Sequence, residues 1–382
     1  MTPADLLVVG GGPAGAALAA MAAGRGARVV VLEREAFPRE KVCGEFLSAE
    51  GCTVLERLGL LDAMRAAGAP RVTSCLLADA RGRSVTSPLP SPALGISRAV
   101  LDDAILALAA RRGADVRRVS VAAPLVEDGV VRGVVAARTG ETLRARLVAG
   151  ADGRRSALQR ALHPGIGDPL ATGDRSWFGI QAHLPDPCTG ARGQVELYVF
   201  DGGYAGLGPV EGERWNLALI VTVRTLRACG GAPERLFRER VLGNPLLAER
   251  LAGVAPCSPW RAVGPLRFNV RRPTSHGALF VGDAAGTIDP FSGEGTSNAL
   301  RGAELSLPIV MDALAAGALT PALARRWSRA WRAAFAPVSR RTRLLGRLFE
   351  HERTAALAMS LLSMPRAAAI LPRLVAATRT GR

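Results

Sequence analysis

The chain opens on a short apolar run. Residues 5–9, Asp-Leu-Leu-Val-Val, predict a buried parallel strand. A glycine-rich turn follows at 10–15, then an Ala-rich helix from Ala16 that stops at Gly24 and Gly26. A second apolar run, Ala27 to Leu32, ends in Glu33. Residues 113–149 alternate apolar and polar positions, with turns at Glu127-Asp128-Gly129 and Arg138-Thr139-Gly140-Glu141, which predicts a three-stranded meander. Alternation returns at Gln194 to Phe200 and Trp215 to Val223, inside a stretch from 168 to 267 that carries most of the aromatics. That stretch predicts an antiparallel sheet. Gly277 to Val281 is another buried strand, followed by an Ala/Leu-rich helix from about Ser297 to Ala316. Residues 321–382 read as helical, basic and apolar.

Composition narrows the classes. Of the 382 residues, 48% are apolar and 21% charged, enough for a large core and too apolar for disorder. No apolar run reaches the roughly 18 to 20 residues of a membrane span. The net charge is +16, but Lys41 is the single lysine. Arginine so dominant beside so much alanine reads as coding bias, and no nucleic-acid motif accompanies it, so no nucleic-acid partner is expected. Six cysteines and four histidines show no metal-ligand spacing and no CxxC pair. No metal site is expected, and a reducing, cytoplasmic setting is. There is no Ser-His-Asp set and no carboxylate pair at meaningful spacing, so hydrolysis has no support.

Chemistry enters at the first turn. Gly10-Gly11-Gly12-Pro13-Ala14-Gly15 is a GxGxxG between strand and helix. Gly10 allows the tight turn, Gly12 lets backbone approach a pyrophosphate, and Gly15 lets helix pack on sheet. Free N–H groups and the helix dipole favour phosphate at that end. Glu33, with Arg34 beside it, stands 18 residues past Gly15, where a carboxylate accepts from ribose hydroxyls. Far downstream, Gly282-Asp283-Ala-Ala-Gly286 ends the 277–281 strand, and Asp283 there is placed to bond a sugar-alcohol hydroxyl. Pro290, Gly293, Glu294, Gly295 and Thr296 then open the next helix, whose N-terminus would stabilise negative charge on a reduced flavin.

Together these segments resemble the FAD-dependent hydroxylase-fold flavoproteins, a superfamily that includes aromatic-ring hydroxylases, halogenases and geranylgeranyl reductases. Two further segments agree. Ser97-Arg98-Ala-Val-Leu101-Asp102 resembles the family segment in which an Arg contacts the cofactor, and Asp152-Gly153 with Arg154 resembles its DG motif. The resemblance implies non-covalent FAD and a mixed α/β fold. It assigns 1–75, 98–165 and 268–320 to a Rossmann-type FAD-binding domain with the meander inserted. Residues 76–97 and 166–267 would form a discontinuous antiparallel-sheet substrate domain, and 321–382 a C-terminal helical tail. One nucleotide fingerprint is present, so NAD(P)H, the expected reductant, would bind without a Rossmann domain of its own.

The stretch Phe37-Pro-Arg39-Glu40-Lys41-Val42-Cys43-Gly44-Glu45 resembles the Cys-Gly segment of geranylgeranyl-reductase-like members, beside the flavin. It places Lys41, Cys43 and Gly44 at the cofactor and nominates Cys43 and Glu45 as catalytic, with Tyr204 as a third candidate. A lone Cys is also a small buried hydrophobe. Halogenases carry a Trp-rich GWxWxIP segment; Gly203-Tyr204-Ala-Gly-Leu-Gly-Pro209 leaves both Trp positions empty, and keeps Tyr204 and Pro209 of an aromatic reductase version. The expected function is a monooxygenase acting on an apolar polyketide-, quinone- or prenyl-like small molecule. C=C reduction, halogenation and catalytically silent flavin binding are the alternatives. The basic tail offers either a membrane contact or a helix packed on the core. Oligomeric state is left open.

Overall fold

A computed structural model describes residues 4–164, 176–186, 192–266, 268, 272–350, 354 and 358–360. The first strand, β1 (Ala4–Val9), turns through Gly10 into α1 (Pro13–Ala23) and returns as β2 (Val29–Glu33). The chain then leaves this layer. It forms the short β3 (Phe46–Leu47), α2 (Ala49–Leu58), α3 (Leu61–Ala66) and a hairpin of β4 (Arg71–Ala78) and β5 (Ser84–Gly95). Helix α4 (Arg98–Arg111) leads back to β6 (Asp115–Arg118), β7 (Val121–Glu127), β8 (Val130–Ala136) and β9 (Thr142–Gly150), followed by α5 (Ala157–Leu162). Strands β10 (Trp177–Pro185), β11 (Gln194–Phe200), β12 (Gly203–Val210) and β13 (Arg214–Thr222) come next. Three short helices, α6 (Val223–Ala228), α7 (Pro233–Glu239) and α8 (Pro245–Arg250), precede β14 (Arg261–Leu266), β15 (Thr274–Ser275) and β16 (Ala278–Phe280). The long α9 (Gly295–Ala315) and α10 (Pro321–Glu350) close the described chain.

Two sheets result. The first runs β15-β16-β9-β1-β2-β6, with β7 and β8 attached through β9. Its centre is parallel, β1 lying between β2 and β9. Continuous apolar strands are required there, because helices cover them, and Leu6, Val8, Val31 and Leu32 are all buried. The second sheet runs β14-β10-β13-β12-β11-β4-β5-β3 and is antiparallel except where β11 meets β4. Leu236, Phe237 and Leu247, from α7 and α8, pack on one of its faces. The other face looks toward the first sheet across a cavity. Trp327, Trp331 and Phe335 of α10 are buried against the first core, and the Trp327 indole N–H donates to the Phe280 carbonyl at 3.1 Å.

The expected meander is β7 to β9, while β6 joins the parallel sheet beside β2. The expected boundary at 75/76 falls inside β4, and Phe46–Leu47 already pairs into the second sheet. Local pattern hides both, since β4 finds its parallel partner β11 some 120 residues away, Ser74 opposite Gln194. The boundary at 165/166, Cys188 and the tail beyond 360 lie outside the described residues. Among the described residues, no helix is long and apolar enough to cross a membrane.

Candidate functional site

The glycine turn divides into two glycines that packing demands and one that it does not. A Cβ on Gly10, which has φ +106°, would lie 2.5 Å from the Ala151 carbonyl oxygen; one on Gly15 would lie 1.9 Å from the Gly10 oxygen. Both positions are closed to any side chain. At Gly12 the nearest atom is Arg39 Nη2 at 3.8 Å. Gly12 caps α1 without a side-chain hydrogen bond, and Gly12, Pro13 and Ala14 line the cavity. The first turn of α1 therefore offers unsatisfied N–H groups to an open space. Glu33 is buried behind it. Its carboxylate accepts from the Gly11 N–H at 2.8 Å and the Glu35 N–H at 3.0 Å, which fixes its orientation. Arg34 is exposed, pairs with Glu35, and does not line the cavity. Arg39 comes near Gly12 from the 37–48 segment, stacked 4.7 Å over Phe37 and 3.5 Å from Asp102. The sequence suggested Arg39 only as a charge favouring the Cys43 thiolate; its approach to α1 appears once the 37–48 segment folds back over that helix.

The Cys-Gly segment is held from the second sheet. The Cys43 N–H donates to Gln181 Oε1 at 3.1 Å, and its carbonyl accepts from Asn216 Nδ2 at 3.0 Å. Gln181 and Asn216 are bonded to each other at 2.8 Å. The Cys43 sulfur lies 3.6 Å from Thr296 Oγ1 and interacts with the Arg98 guanidinium. Arg98 forks onto Asp102 at 2.7 and 2.6 Å. Burial works against its charge, but Asp102 and then Cys43 outweigh it, and its pKa is raised. Lys41, Cys43, Gly44 and Arg98 all line the cavity.

Glu45 does not line the cavity. It has a left-handed backbone (φ +53°) and is buried. One carboxylate oxygen accepts from the Arg98 N–H at 3.1 Å, and the other lies 2.7 Å from His183 Nε2. Its place is behind the segment, which it braces against β10. His183 was one of four scattered histidines in the sequence. Its alternation with Gln181 on β10 was the available signal.

The third element is the strand-end region of the first sheet. Asp152 is half-buried and accepts from the Ala157 N–H at 2.8 Å at the start of α5, while Gly153 and Arg154 line the cavity. Burial pushes the Asp152 pKa up, and its Oδ1 has no hydrogen bond. Asp283, Pro290, Gly293, Glu294, Gly295 and Thr296 line the cavity; Gly286 does not. Glu294 accepts from the buried Ser48 hydroxyl at 2.8 Å. Helix α9 starts at Gly295 without a side-chain cap, and a Cβ there would meet nothing within 4 Å. A second helix N-terminus thus opens on the same cavity. Lys41 sits beside Gly153, and burial, with help from Arg98, lowers its pKa to about 8 despite Asp283.

The cavity has a volume of about 550 Å³. One end is formed by the α1 and α9 N-termini and the Lys41–Arg98 edge. The other reaches the second sheet, where Leu77, Leu197, Tyr204 and Ile220 face it, together with Leu345 and Leu348 of α10. Tyr204 meets the edge of Phe291 at 5.3 Å. Burial, and next Asp289, pushes the Tyr204 pKa well above 10, so its phenol is neutral. The chain's own residues fit an FAD. Two uncapped helix ends suit anionic groups, the open backbone at Gly12 suits a pyrophosphate, and the fixed Glu33 carboxylate suits a ribose.

Comparison with known proteins agrees. The family model described as FAD binding domain matches residues 3–304. A menaquinone reductase from Mycolicibacterium smegmatis is 28% identical over 338 residues, covering 81% of this chain and 76% of that protein. Digeranylgeranylglycerophospholipid reductase 1 from Methanococcoides burtonii is 28% identical, covering 87% and 80%. The FAD-dependent monooxygenase OpS4 from Beauveria bassiana is 30% identical, covering 78% and 74%. Among solved structures, the flavin-dependent brominase Bmp2 superposes with a TM-score of 0.83 at 18% identity, covering 100% of this chain and 95% of that one. A geranylgeranyl bacteriochlorophyll reductase-like protein from Thermoplasma acidophilum gives 0.80 at 21%, covering 98% and 95%. At those identities the two structures speak for the fold alone.

Proposed function

This chain belongs to the FAD binding domain family of flavoprotein oxidoreductases, in its geranylgeranyl reductase-like branch, and from that premise we propose that it is a monooxygenase of a large apolar substrate. The observation that carries the reading is the uninterrupted cavity from the α1 and α9 N-termini to the apolar face of the second sheet. Bound FAD would supply the two-electron and oxygen chemistry. The α1 N-terminus would hold the phosphates and Glu33 the ribose. The α9 N-terminus would stabilise negative charge on the reduced ring. Arg98, fixed by Asp102, would anchor the cofactor beside Cys43, and Leu197, Ile220 and Leu266 would keep water from the reacting centre. In the balanced reaction, NAD(P)H provides the electron pair. One oxygen atom of O₂ enters a C–H bond of the substrate and the other leaves as water.

A second reading is C=C reduction without oxygen. It is favoured by the cavity-facing Cys43-Gly44 segment and by relatives named as reductases. One experiment separates the two. The FAD-loaded protein is given NADPH or NADH and an extract of apolar metabolites, with oxygen uptake recorded and products weighed by mass spectrometry. Oxygen uptake coupled to a product with one added oxygen atom is the expected result. A product with two added hydrogens and no oxygen uptake overturns it in favour of reduction. We further propose that α10 meets an anionic membrane surface from which an apolar substrate is drawn.

A further inference from the structure

We infer that Gly206 and Ala218 form a trough in the cavity floor that receives the flat face of an oxygenated, planar ring system. The inference rests on the reading above, and names the part of the substrate that lies against the second sheet.

Strand register builds the trough. On β12, Tyr204 and Gly206 line the cavity and Gly208 follows on the same face of the strand, while the side chains of Ala205 and Leu207 are buried in the opposite core. One cross-strand row reads Gln181, Ala218, Gly206, Leu197 and Leu77. The next reads His183, Asn216 and Gly208. The middle of the floor is therefore Gly206 and Ala218, flanked by Leu197 on one side and by the Gln181 amide on the other, with Gly208 and Asn216 in the row beyond. Neighbouring strands lie roughly 4.8 Å apart and same-face residues nearly 7 Å apart along a strand, so the bare patch has the size of one or two fused rings. Its amide edge carries Cys43, so a ring seated there lies beside the Cys43-Gly44 segment.

These glycines are not explained by the fold. Glycine inside a strand is destabilising and usually marks a bulge or a close backbone approach. Close approach does account for Gly203, where a Cβ would lie 2.3 Å from the Ile220 oxygen, and for Gly95, at 1.8 Å from the Pro209 oxygen. At Gly206 the nearest atom is the Ala218 oxygen at 3.8 Å, and at Gly208 it is Val195 Cγ2 at 3.5 Å. Neither has a positive φ. A side chain would fit the backbone at both positions, and at Gly206 it would enter the cavity. What Gly206 preserves is space.

Tyr204 and two hydroxyls elsewhere in the cavity wall supply the chemistry for ring oxygens. The buried Tyr204 hydroxyl, one step along β12 from the trough, makes no hydrogen bond, and neither do those of Thr287 and Ser292, which also line the cavity. Burying a hydroxyl without a partner is costly, and a carbonyl or phenol oxygen on the ring would satisfy it. A linear hydrocarbon chain would leave all three unsatisfied.

The test uses the oxidised, FAD-loaded protein and three probes read through the flavin absorption spectrum. They are 2,3-dimethyl-1,4-naphthoquinone (methylated so that thiols cannot add), naphthalene and farnesol. Gly206→Leu should weaken the naphthoquinone by about tenfold or more, and farnesol by less than about threefold. Tyr204→Phe should weaken the naphthoquinone several-fold and leave naphthalene unchanged. Gly206→Ala, whose Cβ meets a single atom at 3.8 Å, keeps FAD and weakens the naphthoquinone in the same direction; it decides the matter if the Leu variant loses its cofactor. Equal loss of all three probes, an unchanged naphthoquinone affinity, or a wild-type spectrum indifferent to it overturns the trough. Failure to bind FAD at all would instead sink the proposed function.

Discussion

Lys41 shows how much one side chain is shaped by its surroundings. It is the single lysine of the chain, and it lies at the cofactor end of the cavity among Arg39, Arg98, Asp102 and Asp283. Burial and the two guanidinium groups outweigh the two carboxylates, and its pKa falls from 10.5 to about 8. The sign of the stability effect follows from linkage. Below pH 8 the side chain is charged in both folded and unfolded chains, and the folded chain bears the full cost. Between pH 8 and 10.5 the unfolded chain binds more protons, so stability contributed by this residue rises with pH. Lys41→Met removes that dependence. In FAD-free protein, the variant's advantage in Tm should therefore be largest below pH 8 and shrink steadily toward pH 10.5. A difference in Tm that stays constant with pH would show that Lys41 is not held at a lowered pKa. The sequence singled out Lys41 as the single lysine, and Cys43 through the resemblance of its Cys-Gly segment. It did not reveal Arg39 or His183, whose roles exist only once β10 and the 37–48 segment are brought together.

At the scale of elements, the β1–α1–β2 unit was legible because its determinants are adjacent in the chain. Strand, turn glycines, helix and acid follow in order, and packing explains Gly10 and Gly15. Gly15 carries the sharpest expectation. A Cβ at that position would sit 1.9 Å from the Gly10 oxygen and 2.9 Å from the Ala151 Cβ. Both contacts come from well-packed neighbours that cannot move aside, so Gly15→Ala should destabilise the fold by about 1–3 kcal/mol, the range of an overpacked core. It should also weaken FAD retention, since the displaced helix is the one that presents its N-terminus to the cavity. A melting curve with and without added FAD checks both. A variant with wild-type Tm would mean that β1 and α1 are not packed as closely as described. The second sheet was less legible. Its alternating strands β11 and β13 were visible, but β4 and β3 join it through partners distant in sequence, and a period of two says nothing about which partner a strand takes. Glu45 is a similar case. The resemblance nominated it as catalytic, but the left-handed backbone there places its carboxylate between the Arg98 N–H and His183.

At the scale of the whole molecule, α10 ties the cavity to the outside. Its first half is anchored by Trp327, Trp331 and Phe335 in the core. Farther along, Leu345 and Leu348 line the cavity, while Leu344 is 62% and Leu348 39% exposed. Among the described residues the other exposed large hydrophobics are Val116 and Val126, on β6 and β7. The two leucines are four residues apart and so share one helix face. Arg340, Arg343 and Arg347, all exposed, lie within a turn of them. Apolar side chains ringed by arginines at the edge of an apolar cavity match the outer layer of an anionic bilayer, where each nearby Arg contributes about 1 kcal/mol and a fully buried Leu about 1.5–3 kcal/mol. The FAD-loaded protein should therefore cosediment with phosphatidylglycerol-containing vesicles, less well with pure phosphatidylcholine, and less again as salt is raised. Leu344→Asp should weaken the binding several-fold while leaving Tm and FAD content near wild type, because Leu344 is 62% exposed and does not line the cavity. Equal affinity for both vesicle types would assign the contact to apolar surface without regard to charge. Absence of binding to anionic vesicles at low salt would remove the membrane from the account and leave α10 as a wall of the cavity.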